Sequence, residues 1–168
     1  MNMKNKSTLF LVQAALIGAV YVVLTLVFAP FSYGEVQVRI SEALTILPYF
    51  TPAAVPGLFV GCIIANILGG GIPLDIIFGS IATLIGAVFT YQLRNSSKWL
   101  APVPAIAANA MIVPFVLHYG YGVNLPIPVM ILTVGAGEAV SCGVFGMVLL
   151  TALSQYKDTI FGRQMSAR

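Results

Sequence analysis

The chain has 168 residues, of which 59% are hydrophobic and 8% charged, and its mean hydropathy is +0.98. A soluble domain carries about 25% charged residues, so too few are present here to coat a globule of this size in water. The formal charge of +3 is no nucleic-acid footprint either, because the cations are distributed as membrane topology requires.

With lipid as the outer solvent, backbone polar groups must be satisfied inside helices or a closed barrel. Barrel strands would read as alternating apolar and polar segments of about ten residues. These are absent, so the fold class predicted is an all-α integral membrane bundle of about six transmembrane helices, one domain over 1–168. A spanning helix takes about 20 apolar residues. The first predicted span, 8–29, meets that length, follows Lys4 and Lys6, and is ended by Pro30. Its apolar stretch is longer than the roughly 7–15 residues of a signal-peptide core, so it reads as a retained helix. A polar-aromatic loop, 31–38, leads to a second span at 39–50 that is short and carries Arg39, Ser41, Glu42 and Thr45. Such a segment survives at membrane depth only where protein covers it or it lines a cavity.

Thr51 reads as an N-cap and Pro52 as the first residue of the third span, 52–68. A turn at Gly69, Gly70, Gly71 and Pro73 precedes the fourth span, 74–93, and a basic loop follows at 94–98. The fifth span, 100–119, opens at Pro102 with a kink expected at Pro114. The sixth, 126–155, follows the loop 120–125 and leads into a polar tail.

Six spans place Lys4, Lys6, Arg94, Lys98, Lys157, Arg163 and Arg168 at one side of the membrane, against Arg39 alone at the other. The excess of Lys and Arg marks the cytoplasmic face, so both termini are expected there. Small residues recur every four positions: Ala15 and Ala19 with Ala14 and Gly18 beside them, Gly57 to Gly69, and Gly135, Ala139 and Gly143. Such stripes let helix backbones approach closely. Most would serve packing within the bundle, and the Ala15/Ala19 stripe is the best candidate for an interface with another membrane protein.

Ionisable residues within spans are costly and usually paired or functional. Glu138 is the sharpest, near mid-depth in the sixth span with no cation close in sequence. Glu42 follows Arg39 by three residues, so the two can neutralise each other on one helix face. Asp75 falls in the first turn of the fourth span, where the helix dipole favours a carboxylate. Asn66, Asn109 and His118 complete the polar set. Arg39, Glu42, Asn66, Asp75 and His118 map to the outer side with Glu138 beneath them, which outlines a pocket for a small polar solute. No cofactor is expected, and no metal, since His118 is the single histidine and Cys62 and Cys142 lack paired spacing. No P-loop is present, and no nucleophile–base pair stands at a recognisable spacing, so the chain is not expected to be an enzyme.

The run FAPFSYGEVQVRISEALTILPYFTPAAVPGLFVGCIIANILGG, 28–70, followed by LDIIFGSIATLIGA, 74–87, resembles the QueT family. The resemblance implies a substrate-binding S-component of an energy-coupling factor transporter that takes up queuosine precursors across the cell membrane. It further implies two kinds of partner, a transmembrane coupling subunit and a pair of ABC-type ATPases, and a cycle in which the S-component topples within the membrane. Ala15 and Ala19 are similar to the AxxxA motif through which S-components meet the coupling subunit.

The implied substrate is a 7-deazaguanine base in its aminomethyl or cyano form, or queuine. Its adjacent N1–H and N2–H donors suit a carboxylate, which assigns Glu138 to the guanine edge and Glu42 or Asp75 to an amine. Asn66 and Asn109 then bind the carbonyl oxygen, and Phe31 and Tyr33 cover the ring. The alternative is a stand-alone ion-coupled carrier with Glu138 as its proton site.

Overall fold

The structure, a computed structural model, describes residues 3–29 and 38–160. Phe31 and Tyr33 lie outside the described residues. Among the described residues all regular structure is helical. In chain order the elements are α1 (Met3–Val27), a 3-10 helix (Ile40–Tyr49), α2 (Ala54–Leu68), α3 (Pro73–Gln92), α4 (Val103–Tyr119) and α5 (Ile127–Glu138). A π-helical segment (Ala139–Phe145) joins α5 directly to α6 (Gly146–Ile160), so the sixth predicted span is one helix in three parts. Four stretches are long and apolar enough to cross a membrane, 6–27, 73–95, 98–119 and 127–156, and α2 is a shorter apolar helix. Large apolar side chains such as Leu11, Leu16, Val23, Met111, Leu132 and Val148 point outward. The molecule is therefore an all-α membrane bundle whose outer coat is apolar.

The short second span takes an unforeseen form. Its ten residues are a 3-10 helix rather than an α-helix. Runs of this length are uncommon. Pro48 inside it would clash with the carbonyl of Leu44 and remove its bond in an α-helix. Thr45 also bonds its hydroxyl back to the Glu42 carbonyl at 2.6 Å. At about 2.0 Å rise per residue the segment covers roughly 20 Å, against about 15 Å for an α-helix of equal length. Residues 41–48 are all buried, because α1, α2, α3, the π segment and α6 pack around them. The condition for polar residues at membrane depth is thus met by a sleeve of helices.

Close backbone approach holds that sleeve. A Cβ on Gly57 would lie 2.6 Å from the Ala14 carbonyl oxygen, and one on Gly61 would lie 2.9 Å from the Gly18 Cα. The Ala14/Gly18 face of α1 therefore interlocks with the Gly57/Gly61 stripe of α2, as small residues permit in a bilayer. Ala15 and Ala19, one position round the helix, are exposed. The stripe in the last helix behaves differently. A Cβ on Gly135 or Gly143 would meet neighbours only at 3.6 and 3.9 Å, whereas one on Gly146 would lie 3.0 Å from Ile46 of the 3-10 helix.

Helix boundaries follow local chemistry. α2 begins at Ala54, two residues after Pro52, yet the Thr51 hydroxyl still accepts the Ala53 N–H at 3.3 Å. Gly70, with φ +78°, turns the chain between α2 and α3 in a backbone region that suits glycine. α4 stays helical through Pro114.

Candidate functional site

Polar side chains converge on the 3-10 helix in two layers. Three residues per turn bring positions i and i+3 into one row, so Glu42 and Thr45 lie along a single edge with Arg39 at its start.

The outer layer gathers where α3 begins. Arg39 Nη2 lies 3.6 Å from Asp75 Oδ2, and both side chains are almost fully buried. The Tyr121 hydroxyl donates to the same Asp75 oxygen at 3.1 Å and receives the Ile72 N–H at 3.4 Å. Tyr121 lies in the loop before α5, and burial followed by the nearby Asp75 charge pushes its phenol up, which keeps the proton it donates. Asn66 Nδ2 donates to the Asp75 carbonyl at 3.3 Å, while Asn66 Oδ1 has no hydrogen-bond partner among the described residues. Removing one member of a buried ion pair costs about 3–5 kcal/mol because the other charge stays in place. We expect Asp75→Ala to destabilise the detergent-solubilised protein on that scale, read as a fall in thermal midpoint. The double change Arg39→Met with Asp75→Leu should recover much of the loss; a double variant no better than Asp75→Ala would show that the pair contributes through something other than charge.

The inner layer is built from α1, the 3-10 helix, α4 and the last helix. The Tyr21 hydroxyl donates to Glu42 Oε1. Beside it Thr25 bonds Ser41 at 2.7 Å. Glu138, the final residue of α5, has its Oε2 3.2 Å from Cys142 Sγ in the π segment. The same thiol lies 3.4 Å from the Glu42 carbonyl oxygen and from the Thr45 hydroxyl. Potential ligating atoms of Glu42, Glu138 and Cys142 all fall within 4.8 Å of one another. Asn109 of α4 faces both carboxylates, short of hydrogen-bond geometry. Its Nδ2, like Glu42 Oε2, has no partner among the described residues. Glu42, Asn109 and Glu138 are 1%, 4% and 2% exposed, so these orphan atoms are shielded from water, and each is costly unless something completes it.

The structure thus joins Glu42, Glu138 and Asn109 in one cluster and Arg39, Asp75 and Asn66 in the layer above. The ion pair that forms is Arg39 with Asp75, so Arg39 bridges two elements rather than serving only its helical neighbour Glu42. His118 stands apart, with Nδ1 3.1 Å from the Val123 carbonyl and its ring edge-on to Tyr119.

Sequence reasoning passed over Tyr21, Tyr121 and Cys142. Tyr21 lies on the Ala14–Gly18 face of α1, and a phenol at mid-span needs a polar partner, a signal that the small-residue stripe obscured. Tyr121 reads as an interfacial anchor until α3 is packed against its loop. Cys142 follows Glu138 by four residues, one helical turn, so that pairing was legible. The meeting of Glu42, Glu138 and Cys142 was not, although carboxylate and thiolate donors at this range can together hold a soft or borderline cation.

Buried carboxylates at the meeting of four segments inside a helical membrane bundle point to the class of membrane transport proteins. The QueT transporter family model matches residues 11–155. This chain belongs to that family. It is also similar to the queuosine precursor transporter QueT of Lactococcus lactis subsp. cremoris (strain MG1363), with 34% identity over 85 residues. That alignment covers 49% of this chain and 50% of the relative, so the match spans about half of the relative's length. No solved structure matches the chain.

Proposed function

We propose that this chain is the substrate-binding S-component of an energy-coupling factor transporter in the cell membrane, and that it captures a queuosine precursor of the 7-deazaguanine class. The observation that carries the reading is the inner cluster. Glu42 and Glu138 come from distant parts of the sequence to face one another, and Glu42 Oε2 and Asn109 Nδ2 stay unpartnered beside them. A guanine-like edge offers adjacent N–H donors to a carboxylate and a carbonyl oxygen to an amide. Glu138 takes the guanine edge, Asn109 the carbonyl, and Glu42 a cationic substituent where the base has one. The Arg39–Asp75–Tyr121 layer closes the outer side. The printed name of the Lactococcus relative supports the same solute class.

Titrating the purified chain with a panel of 7-deazaguanines, guanine and adenine tests this directly. Saturable binding confined to the deazaguanines is the expected result, and equal binding of adenine would end the proposal. Under the same reading Ala15 and Ala19 meet a transmembrane coupling subunit, which is joined to two ABC-type ATPases that supply the energy. Co-purification of those subunits separates an S-component from the ion-coupled carrier, which would act alone.

The topology belongs to the same proposal. Ser97 and Asn124 are exposed in loops at opposite ends of the bundle, and the native Cys62 and Cys142 are buried. A membrane-impermeant maleimide applied to intact cells should label Asn124→Cys and leave Ser97→Cys unlabelled until the membrane is opened. Labelling of both from one side would rule out cytoplasmic termini with an even number of spans.

A further inference from the structure

A cavity lies away from the carboxylates, at the end of the bundle that bears the N-terminus. It has a volume of about 650 Å³ and sits between the first turns of α1, the junction of the 3-10 helix with α2, and the end of α3. Among the described residues its charged lining is Lys6 and Arg94, with no carboxylate. Arg94 is held in place from below, donating from Nη1 to the Tyr91 carbonyl at 2.9 Å with its guanidinium 3.9 Å from the centre of the Tyr91 ring. A guanidinium fixed in this way presents its other N–H groups without a further entropic cost, and its planar fork matches an oxyanion.

Ser7, Gln13 and Thr51 add polar groups near the cations, while Leu9, Phe10, Leu11, Phe50 and Pro52 give the rest of the wall an apolar side that runs on into the outward side of α1. Leu9, Phe10 and Leu11 line the cavity and are 42%, 38% and 66% exposed, and Val12 and Leu16 carry the same surface onward along the helix. A ligand suited to both halves has an anionic head at the level of Lys6 and Arg94 and an apolar tail lying along α1. A free phosphate would leave that apolar wall uncovered, and an acidic peptide would have to desolvate its backbone against it. We infer that this cavity is a binding site for an anionic phospholipid, its phosphate between Lys6 and Arg94 and the start of an acyl chain against Leu9, Phe10 and Leu11, below the Ala15/Ala19 level of α1. The inference is independent of the solute bound at Glu42 and Glu138.

The test uses the full chain purified in detergent, titrated with dioleoylphosphatidylglycerol or dioleoylphosphatidylcholine and read by native mass spectrometry. Two cations at the membrane surface favour the anionic lipid by roughly thirtyfold. Lys6→Gln with Arg94→Gln should bring the two lipids within about threefold of each other. Arg94→Lys keeps the charge and should keep most of the preference, which separates loss of the site from loss of the fold. Equal binding of the two lipids by the unmodified chain overturns the proposal, and so does a preference that survives in the double variant. Displacement of phosphatidylglycerol by excess inorganic phosphate reduces the site to a simple anion site and overturns the lipid assignment. Equal lipid binding combined with loss of a co-purifying membrane protein in the double variant gives the cavity to a protein partner instead.

Discussion

With Glu138 in the proposed role, Glu138→Gln is expected to lower affinity for a 7-deazaguanine ligand by roughly tenfold or more. The substitution keeps the shape of the side chain but exchanges one acceptor oxygen for an NH₂ donor. If the carboxylate receives two bonds from the guanine edge, one is lost and two donors are forced together. A hydrogen bond to a charged group contributes about 1.5–3 kcal/mol, which sets the scale of the loss. The position leaves little room for compensation, since Glu138 is 2% exposed and its neighbours are Cys142, Asn109 and the Glu42 carboxylate. Removing the exocyclic amine from the ligand should cost the unmodified protein a similar factor and the variant much less. Such non-additivity marks a direct contact rather than general damage to the fold. Equal penalties in the two proteins would return Glu138 to a structural role. A carrier that uses Glu138 for protons predicts another pattern, in which the variant still binds ligand but no longer responds to a proton gradient.

Two neighbouring faces of α1 respond in opposite ways to enlargement. Gly57→Leu drives a side chain into the Ala14 backbone, where even a Cβ would lie 2.6 Å from the carbonyl oxygen. Backbone cannot rotate aside as a side chain can, so α1 and α2 must separate. Overpacking of this kind costs about 1–3 kcal/mol and at times more, and the detergent-solubilised chain should lose thermal stability accordingly. Ala15→Leu and Ala19→Leu add similar bulk to exposed positions. They should leave the isolated chain's stability and ligand binding largely intact while blocking assembly with the coupling subunit and uptake. Loss of ligand binding with normal assembly in the Ala19 variant would place that face in the bundle interior and remove the proposed interface.

Most of the architecture was legible in the sequence because its cause is local. Twenty or so apolar residues in a row can satisfy their backbone only as a helix in lipid, so α1, α3, α4 and the last helix follow from composition and length. Turns followed from glycine and proline, as at Gly70 with its positive φ. The polar character of the second span also showed that protein must cover it. Its 3-10 form did not follow, because Pro48 and the Thr45 back-bond favour a tighter turn only in concert with the helices packed around them. The π segment escaped for a similar reason, since residues 139–145 carry no proline and Gly143 reads as one more small residue of the stripe.

Sequence singled out Glu42, Glu138, Asp75, Arg39, Asn66 and Asn109 one by one, because each is polar where lipid would penalise it. It could not sort them into partners. Glu42 and Cys142 are 100 positions apart, and their approach depends on how the 3-10 helix and the π segment pack. Arg39 lies three residues from Glu42 along the chain, yet its ion pair is made with Asp75 across the gap to α3. His118 met the same sequence criterion and joins neither layer, since its ring bonds its own loop at Val123. Burial cost is set by residue type and span, which the sequence specifies, whereas pairing is set by the distance between side chains on different helices. That distance was fixed by the tertiary structure, through the close approach of Gly57 and Gly61 to α1 and the sleeve around the 3-10 helix.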